Sequence, residues 1–599
     1  MPCGARSSRG RPVSSRSAGR ATRRGIPPVS VSGTSTLVTH TGSWKYIWPV
    51  YHDRVAPCNR GCPVGIDIEG YLNLMREDRV ADARRLLLAE NPMPAVTGRV
   101  CHHPCESACN RGMFDAAVSI HAVERMLGDL ALQEPLSDSV APRRDERVAV
   151  VGSGPAGLSC AYHLSRFGYH VTVFEAASAP GGMLRQGIPE YRLPRAILDG
   201  EIERIRALGV EMRCGVRVGA DLPWERVLAD FDALFVASGA HASRALGVEG
   251  EDGTGVRPGL AFLREVNAGA RPSVGRRVVV VGGGNTAMDC ARSALRLGAS
   301  VTVLYRRTRA EMPAIADEVE EADREGVAFA FLAAPVGFHV VHGTLRAVEC
   351  ERMALGEPDA SGRRRPESTG ERFTLLADTV LTAIGESPDL DALPPDLARR
   401  DSGVRVDPLG RTSRAAVFAG GDVTEAPRTV ADALGAGKRA AVGIDRQLRA
   451  RPREPRDADD LEALRFGGGN ISALRWLGRD PVARVAPVNE VVTFEELNLN
   501  HFVKVARRRD THARPERARA TFDEVNRGLT REEAEEEARR CLNCGVCTHC
   551  DVCLIFCPDL AISRNGDGAY QIALDYCKGC GVCVAECPRG AIVMTREGP

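Results

Sequence analysis

Residues 147–182 read RVAVVGSGPAGLSCAYHLSRFGYHVTVFEAASAPGG, and no other run leaves this chain so few folds. A short apolar stretch from Val148 to Val151 ends in Gly152-Ser-Gly154-Pro155-Ala156-Gly157. A segment of helical period follows, then a second apolar stretch from Val171 to Phe174 that ends at Glu175. This order predicts strand, glycine-rich turn, helix and strand, with an acid 23 residues after the first glycine. Gly152 suits the tight turn, Gly154 the close approach of a pyrophosphate, and Gly157 the packing of helix on strand. The phosphates belong at the helix N-terminus, with Glu175 accepting from a ribose hydroxyl. Glycines also punctuate ordinary turns. The weight here comes from strand, helix and distal acid standing in register.

A second unit of the same kind begins at Arg276, RRVVVVGGGNTAMDCARSALRLGASVTVLYRR. Its turn is Gly282-x-Gly284-Asn285-Thr286-Ala287, the permitted alanine variant. The same count from Gly282 reaches Tyr305, and Arg306 and Arg307 follow. An arginine pair at a strand end suits a 2′-phosphate through charge-assisted contacts, the alternative being a solvated strand end. The expectation is FAD in the first unit and NADPH in the second. Short apolar runs ending in small residues, LFVASG, VLTAIG and VFAGGD, let a flat cofactor approach the backbone. Gly421 and Asp422 in the last of them are expected at the flavin's sugar-alcohol chain, although Gly-Asp also begins ordinary turns.

With 599 residues the prior is about four domains. Hydrophobic residues at 44% and charged residues at 26% describe a globular chain, and a net charge of +1 gives no footing for nucleic acid. No apolar run approaches the ~18 residues of a membrane span. Residues 1–43 lack acids and are interrupted by Gly and Pro. They read as a disordered tail, with a transit peptide as the alternative.

Fifteen of the twenty cysteines fall in two groups. No signal peptide is evident and the spacing is that of metal thiolates, so a reducing, cytoplasmic protein is expected rather than a disulfide-bonded one. At the C-terminal end, Cys547-x2-Cys550-x2-Cys553-x3-Cys557-Pro is repeated as Cys577-x2-Cys580-x2-Cys583-x3-Cys587-Pro. This is the two-cluster ferredoxin arrangement, in which the fourth cysteine of each run serves the other cluster. Cys547, Cys550, Cys553 and Cys587 should hold one [4Fe–4S] cluster, and Cys577, Cys580, Cys583 and Cys557 the other. Structural zinc needs no such interlocked repeat. Near the N-terminus, Cys58-x3-Cys62 and Cys101-x3-Cys105-x3-Cys109 flank a helical segment; on a helix, x3 spacing puts ligands on one face, as a cluster or metal requires, the alternative being buried thiols. Cys3, Cys160, Cys214, Cys290 and Cys350 read as tail or core thiols. Residues 451–540 read as linker with some packed helix, followed by a helix from Thr530, whose T-R-E-E is a capping box, and this helix runs into Cys541.

Together GRVCHHPCESACNRG, GSGPAG, GGMLRQGIPEYRLPR, GGGNTAMD, YRRTRAEMPA and VFAGGDV resemble the small subunit of bacterial NADPH-dependent glutamate synthase and the N-terminal region of dihydropyrimidine dehydrogenase, over residues 56–450. The tail, with YCKGCGVCVAECPRGAI, resembles the ferredoxin-type subunit of 2-oxoacid:ferredoxin oxidoreductases. The resemblance implies an α/β flavoprotein with two dinucleotide-binding domains, an N-terminal helical iron–sulfur domain and a C-terminal α+β ferredoxin-like domain. It sets expected bounds of 44–145 for the helical domain, 146–245 and 381–450 for the FAD domain, 246–380 for the inserted NADPH domain, and 541–599 for the ferredoxin domain. Gly182 and Met183 join the flavin site on the same ground. In these relatives an RCLxC-like pair precedes the x3 cysteines, whereas here EEEARRCLNC lies far along the chain, bringing Cys541 and Cys544. Five N-terminal cysteines plus these two make the seven that the relatives use, with Glu124 in VSIHAVER at the position of the eighth ligand. The expectation is a fold-back in which Cys541, Cys544, Cys58 and Cys109 hold one cluster and Cys62, Cys101, Cys105 and Glu124 another. The alternative is one N-terminal cluster with Cys541 and Cys544 free.

The function implied is exchange of electrons between NADPH, FAD and [4Fe–4S] clusters, to or from a ferredoxin or a 2-oxoacid:ferredoxin oxidoreductase-type partner. The cofactors carry the chemistry, so no catalytic acid or base is named. One alternative is a glutamate synthase small subunit feeding a large subunit, for which the ferredoxin tail is superfluous. The other is a non-catalytic electron-transfer subunit, against which stand the intact glycines, Glu175 and the arginine pair.

Overall fold

A computed structural model describes residues 47–134, 141–359, 362–400, 402–449, 461, 464–478, 490–566 and 568–596. The expected tail and Cys3 lie outside the described residues. The described chain opens on β1 (Ile47–Tyr51), followed by the helices α1 (Ile68–Arg76), α2 (Val80–Glu90), α3 (Pro94–Val100) and α4 (Ile120–Gln133). Asp67 caps α1 by accepting from the Gly70 N–H. α3 and α4 touch backbone to backbone: a Cβ on Gly98 would stand 2.6 Å from the Arg125 backbone.

The first nucleotide unit consists of β2 (Arg147–Val151), α5 (Pro155–Arg166), β3 (His170–Glu175), β4 (Glu211–Cys214) and β5 (Ala233–Val236). The second, inserted after β5, holds β6 (Val256–Pro258), β7 (Arg277–Val281), α6 (Asn285–Arg296), β8 (Ser300–Tyr305), β9 (Ala328–Phe331) and β10 (Thr379–Thr382). The chain then returns to the first unit through β11 (Val417–Ala419) and the long α7 (Val430–Arg449). Each unit is a five-stranded parallel sheet, in order β11-β5-β2-β3-β4 and β9-β8-β7-β10-β6. Val148–Val151 is buried along its length, which is why the strand reads as an unbroken apolar run rather than an alternating one. Three antiparallel strands, Ala333–Val341, Thr344–Pro358 and Arg364–Leu376, extend the second unit.

At the C-terminal end α8 (Arg531–Ala538) starts at a reciprocal box between Thr530 and Glu533. The last strand, β12 (Ile592–Arg596), pairs antiparallel with β1, setting Tyr51 opposite Ile592. The two ends of the described chain thus close one small domain. Residues 490–530, within the stretch expected to be linker, instead form a packed strap. Glu524 pairs with Arg99 and Arg125, His512 with Glu321, and the Val525 N–H donates to the Tyr191 carbonyl. The strap is held by charges placed against buried arginines, so it carries no hydrophobic period from which to read it. Among the described residues no helix is long and apolar enough to cross a membrane.

One buried ion pair joins the helical domain to the flavin unit. Lys438 of α7 lies 2.7 Å from Glu90 of α2 and donates to the Gly65 carbonyl, and Glu90 also accepts from the Ala473 and Leu474 N–H groups. Replacing Lys438 by Met strands that carboxylate, at a cost of about 3–5 kcal/mol. Chemical denaturation of the intact chain should show the loss, and adding Glu90→Gln should recover much of it.

Candidate flavin, nucleotide and iron–sulfur sites

The β2–α5 turn is built as a cradle. Gly152 has φ +104°, a conformation that favours glycine, and a Cβ on Gly157 would run into the Gly152 carbonyl. A Cβ on Gly154 would meet nothing within 4 Å, so the space above it at the N-terminus of α5 is open to a ligand. Gly182 folds over this turn, where a Cβ would stand 2.7 Å from the Gly154 Cα; one on Gly421 would stand 2.9 Å from the Ala156 Cβ. Glu175 is buried and accepts from the Ser153 N–H at 2.9 Å, the Ser153 hydroxyl and the Ala177 N–H at 2.7 Å, bonds that fix its carboxylate at the end of β3. A cavity of about 680 Å³ is walled by Gly152, Gly154, Pro155, Ala156, Glu175, Gly182, Met183, Gly421 and Asp422. Val218, Trp224 and Leu393 also line it and were not legible in the sequence, because these residues belong to no motif. Burial holds Asp422 above the usual carboxylate range, with Arg428 acting against the shift. A cavity of this size, with an open anion cradle at the N-terminus of α5 and a buried acid at the end of β3, fits FAD.

The second turn repeats the geometry. Gly282 has φ +143°, and a Cβ on Gly284 would again meet nothing within 4 Å. Ala287 is fully buried, and Asn285 accepts from the Ile315 N–H at 2.9 Å, pinning the loop beside the turn. The structure separates the arginine pair. Arg306 is exposed, whereas Arg307 is buried, donating to Asp359 at 2.6 Å and to the Arg364 carbonyl at 2.7 Å. Only the first of the two stands open to a ligand. A cavity of about 910 Å³ is shared by Asn285 and Thr286 of this turn, Met183, Asp422 and Val430 of the flavin unit, and His102, His103 and Glu106 of the helical domain.

The cysteines gather in four sets. Cys58, Cys109, Cys541 and Cys544 line one small cavity with Glu69 and Asn110. The loop carrying Cys541 and Cys544 is clamped there. Asn543 donates to Glu69 and accepts from Arg76, both at 2.9 Å, and Arg111 donates to the Arg540 carbonyl. Burial, then the charge of Glu124, pushes the Cys62 thiol up to about 11, and Cys101 and Cys105 feel the same carboxylate. Glu124 itself is raised to about 7 by burial, while Thr97 and Asn91 donate to it. In the tail, Cys547 feels Cys553, Cys550 and Cys587, whereas Cys577 feels Cys580 and Cys557, so the fourth cysteine of each run lies with the other run.

Tetrahedral zinc at about 2.3 Å from sulfur would draw thiolates to about 3.8 Å of one another. Among the described residues only His103, Glu106 and His121 bring three such donor atoms within 4.8 Å. The cysteine sets are therefore too wide for a single ion and fit a polynuclear cluster. The histidine group is an ion triad. His121 lies 2.7 Å from Glu106 and 3.0 Å from Asp510. Burial opposes its charge, but the two carboxylates outweigh burial and lift it to about 10, so both ring nitrogens are occupied. No sequence signal marked it, because Asp510 joins from the strap.

A family model described as pyridine nucleotide-disulphide oxidoreductase matches residues 146–437. One described as dihydropyrimidine dehydrogenase domain II, 4Fe-4S cluster, matches residues 52–136, and one described as 4Fe-4S dicluster domain matches residues 546–591. Cys541 and Cys544 fall outside all three. The chain is 44% identical to the NADP(+)-dependent formate dehydrogenase subunit beta of Moorella thermoacetica, over 68% of this chain and 62% of that protein. It is 38% identical to the NADPH-Fe(3+) oxidoreductase subunit beta of Geobacter sulfurreducens, over 82% and 75%. It is 36% identical to the glutamate synthase [NADPH] small chain of Escherichia coli, over 65% and 87%. The chain thus spans less than two thirds of the length of the first of these relatives.

The two open cradles make a clean test. Gly154→Val and Gly284→Val add bulk where no protein atom lies, at extended φ that any residue adopts. Gly154→Val should fold yet lose its visible flavin absorbance. Gly284→Val should keep the flavin and lose its reduction by NADPH. Circular dichroism checks that both remain folded.

Proposed function

The chain belongs to the pyridine nucleotide-disulphide oxidoreductase family, in the group that holds the glutamate synthase small chain, and from that premise we propose that it is the NADPH-side subunit of a larger redox assembly. It is a flavin-dependent NAD(P)H oxidoreductase with iron–sulfur domains at both ends of its described chain. When bound, FAD supplies the exchange of a hydride pair for single electrons and [4Fe–4S] clusters supply their one-electron carriage. The chain's own residues bind, orient and enclose. Gly152, Gly154 and Gly157 with the α5 N-terminus take the flavin pyrophosphate, Glu175 accepts from its ribose, and Asp422 faces its sugar-alcohol chain. Gly282, Gly284 and Ala287 take the second pyrophosphate, and Arg306 reads the 2′-phosphate while Arg307 braces the neighbouring hairpin.

The observation that carries this reading is the shared 910 Å³ cavity. Flavin-side residues, the second nucleotide turn and the loop between Cys101 and Cys105 wall one space, which supports donor and flavin meeting there with the first proposed cluster close by in the chain. The proposed ligand sets are Cys62, Cys101, Cys105 and Glu124 nearest this cavity, then Cys58, Cys109, Cys541 and Cys544. Beyond these come Cys547, Cys550, Cys553 and Cys587, and last Cys557, Cys577, Cys580 and Cys583. Around the last set Ile555, Leu560, Leu574 and Tyr576 stand exposed, a face for a partner that exchanges single electrons, such as a ferredoxin or a 2-oxoacid:ferredoxin oxidoreductase-type subunit. The relatives named as subunits beta and as a small chain support a multisubunit setting. The cysteine spacing, that of metal thiolates rather than of a disulfide framework, favours a reducing cytoplasm.

Anaerobic titration tests the reading: NADPH should bleach the flavin and then reduce the clusters, and an unbleached flavin would overturn it. Arg306→Ala should raise the NADPH requirement about tenfold or more, the worth of a charge-assisted contact, and leave NADH use nearly unchanged. Arg307→Ala should lower thermal stability instead. Iron analysis of the intact chain should give about sixteen irons, falling to about twelve in the Cys541→Ser, Cys544→Ser double variant.

A further inference from the structure

The two cysteine sets of the tail share several backbone donors. The Ala561 N–H donates to the Cys557 Sγ at 3.3 Å, and the Ala591 N–H to the Cys587 Sγ at 3.4 Å. The Gly579 N–H donates to the Cys577 Sγ, and the His549 N–H serves Cys547 in the same way. The Arg589 N–H also serves Cys587 and the Leu554 N–H serves Cys553, and one side-chain contact has no counterpart in the second run. The Tyr51 hydroxyl lies 3.1 Å from the Cys553 Sγ. Among the described residues no side-chain hydroxyl meets Cys583, the corresponding third cysteine of the second run. Tyr570, the nearest analogue, spends its hydroxyl on Asp551, accepting from the Asp551 N–H at 2.8 Å and donating to the carboxylate at 2.9 Å.

Tyr51 is held in place independently of the sulfur. It ends β1, opposite Ile592 of β12, and its ring stacks on Tyr570 with centroids 5.7 Å apart. The residues that follow grip the same set: Asp53 accepts from the Cys547 N–H at 3.1 Å, and Arg54 donates to the Gly590 carbonyl at 2.8 Å. Tyr51 precedes the family match that begins at residue 52 and lies far outside the one at residues 546–591.

We propose that Tyr51 is a positioning residue that sets the potential of the inner ferredoxin cluster, the one assigned to Cys547, Cys550, Cys553 and Cys587, above that of the outer one. The inference rests on the reading of Cys553 as a cluster ligand. A ligating sulfur is a thiolate and carries no proton, so the phenol is the donor. A donor to sulfur stabilises the reduced, more negative cluster more than the oxidised one, and therefore raises its potential. The inner set is three residues from Cys544, on the side of the helical domain, and the outer set lies under the exposed Leu560 and Tyr576. An electron therefore settles on the inner cluster in preference to the outer one until a partner at the outer face accepts it.

The test is an EPR-monitored redox titration of the full anaerobic chain with dithionite and mediators, comparing wild type with Tyr51→Phe, alongside iron analysis. Dithionite bypasses the nucleotide sites, so a failure of NADPH to bleach the flavin would sink the broader reading without touching this measurement. Tyr51→Phe keeps the ring stack and the strand and removes one oxygen. The expected result is full iron with one C-terminal cluster shifted to lower potential, changing the electron's partition between the two clusters about tenfold, or 59 mV for one electron. An exchangeable proton coupling on that cluster should also vanish from its ENDOR spectrum. Unchanged midpoints at full iron content would overturn the proposal. So would loss of about four irons, since the hydroxyl would then be holding the cluster in place rather than tuning it.

Discussion

Crowded buried cysteines are the constraint from which the rest of this structure follows. Burial raises Cys58 well above its usual range, and the charges of Cys109, Cys541 and Cys544 raise it further. Thiols raised in this way keep their protons in so small and water-poor a cavity, and they would ionise together only around positive charge such as a cluster core supplies. The polypeptide must then hold cysteines from opposite ends of its sequence in one place. Charge and hydrogen bonding do that holding. Arg54 reaches Glu490 and Glu496, Arg540 reaches Glu537 and Asp115, and Asn110 donates to the Val492 carbonyl and to the Cys544 Sγ.

The two nucleotide units show how little needs to change between binding one dinucleotide and another. Both turns place their first glycine at positive φ and leave the third position of the turn open. The difference is at the end of the second strand. In the first unit the buried Glu175 is tied to the turn itself through Ser153, so the acid and the glycines form one rigid piece. In the second, Tyr305 donates to the Glu311 carbonyl and Arg306 stands free in solvent, which leaves a cation where the first unit has an anion.

The parts legible in the sequence were those whose signal is local. β2, the turn and β3 sit within thirty residues, and each glycine's role follows from backbone sterics that act between near neighbours. The ferredoxin repeat is local in the same sense. The parts not legible are contacts whose partners are far apart in sequence and whose chemistry looks ordinary in isolation. Glu524 and Asp510 stand in a charged stretch with no motif, yet they neutralise Arg99, Arg125 and His121. Arg306 and Arg307 are indistinguishable as letters. Only the hairpin carrying Asp359 decides that one is structural. Tyr51 meets Cys553 across 502 positions, through a strand pairing that no periodicity announces.

The joint between the nucleotide units is built by the same means. Arg192 of the flavin unit lies 2.9 Å from Asp289 of α6 and 2.7 Å from Glu318, and behind them, within the second unit, Arg292 and Arg296 each reach Glu325 at 2.6 Å. Tyr191 lies under the guanidinium of Arg296, at 3.8 Å from its ring centroid. Buried ion networks are poor sources of net stability, because desolvation consumes most of their attraction. They do impose geometry, since each charge tolerates few positions once it is out of water. An apolar joint of similar size could slide and still bury its area. This one slides only by stranding a charge, which favours a single arrangement of the walls that carry Asn285 and Met183. Transfer between two bound rings depends steeply on their arrangement, which gives the network a physical reason to lie where it does.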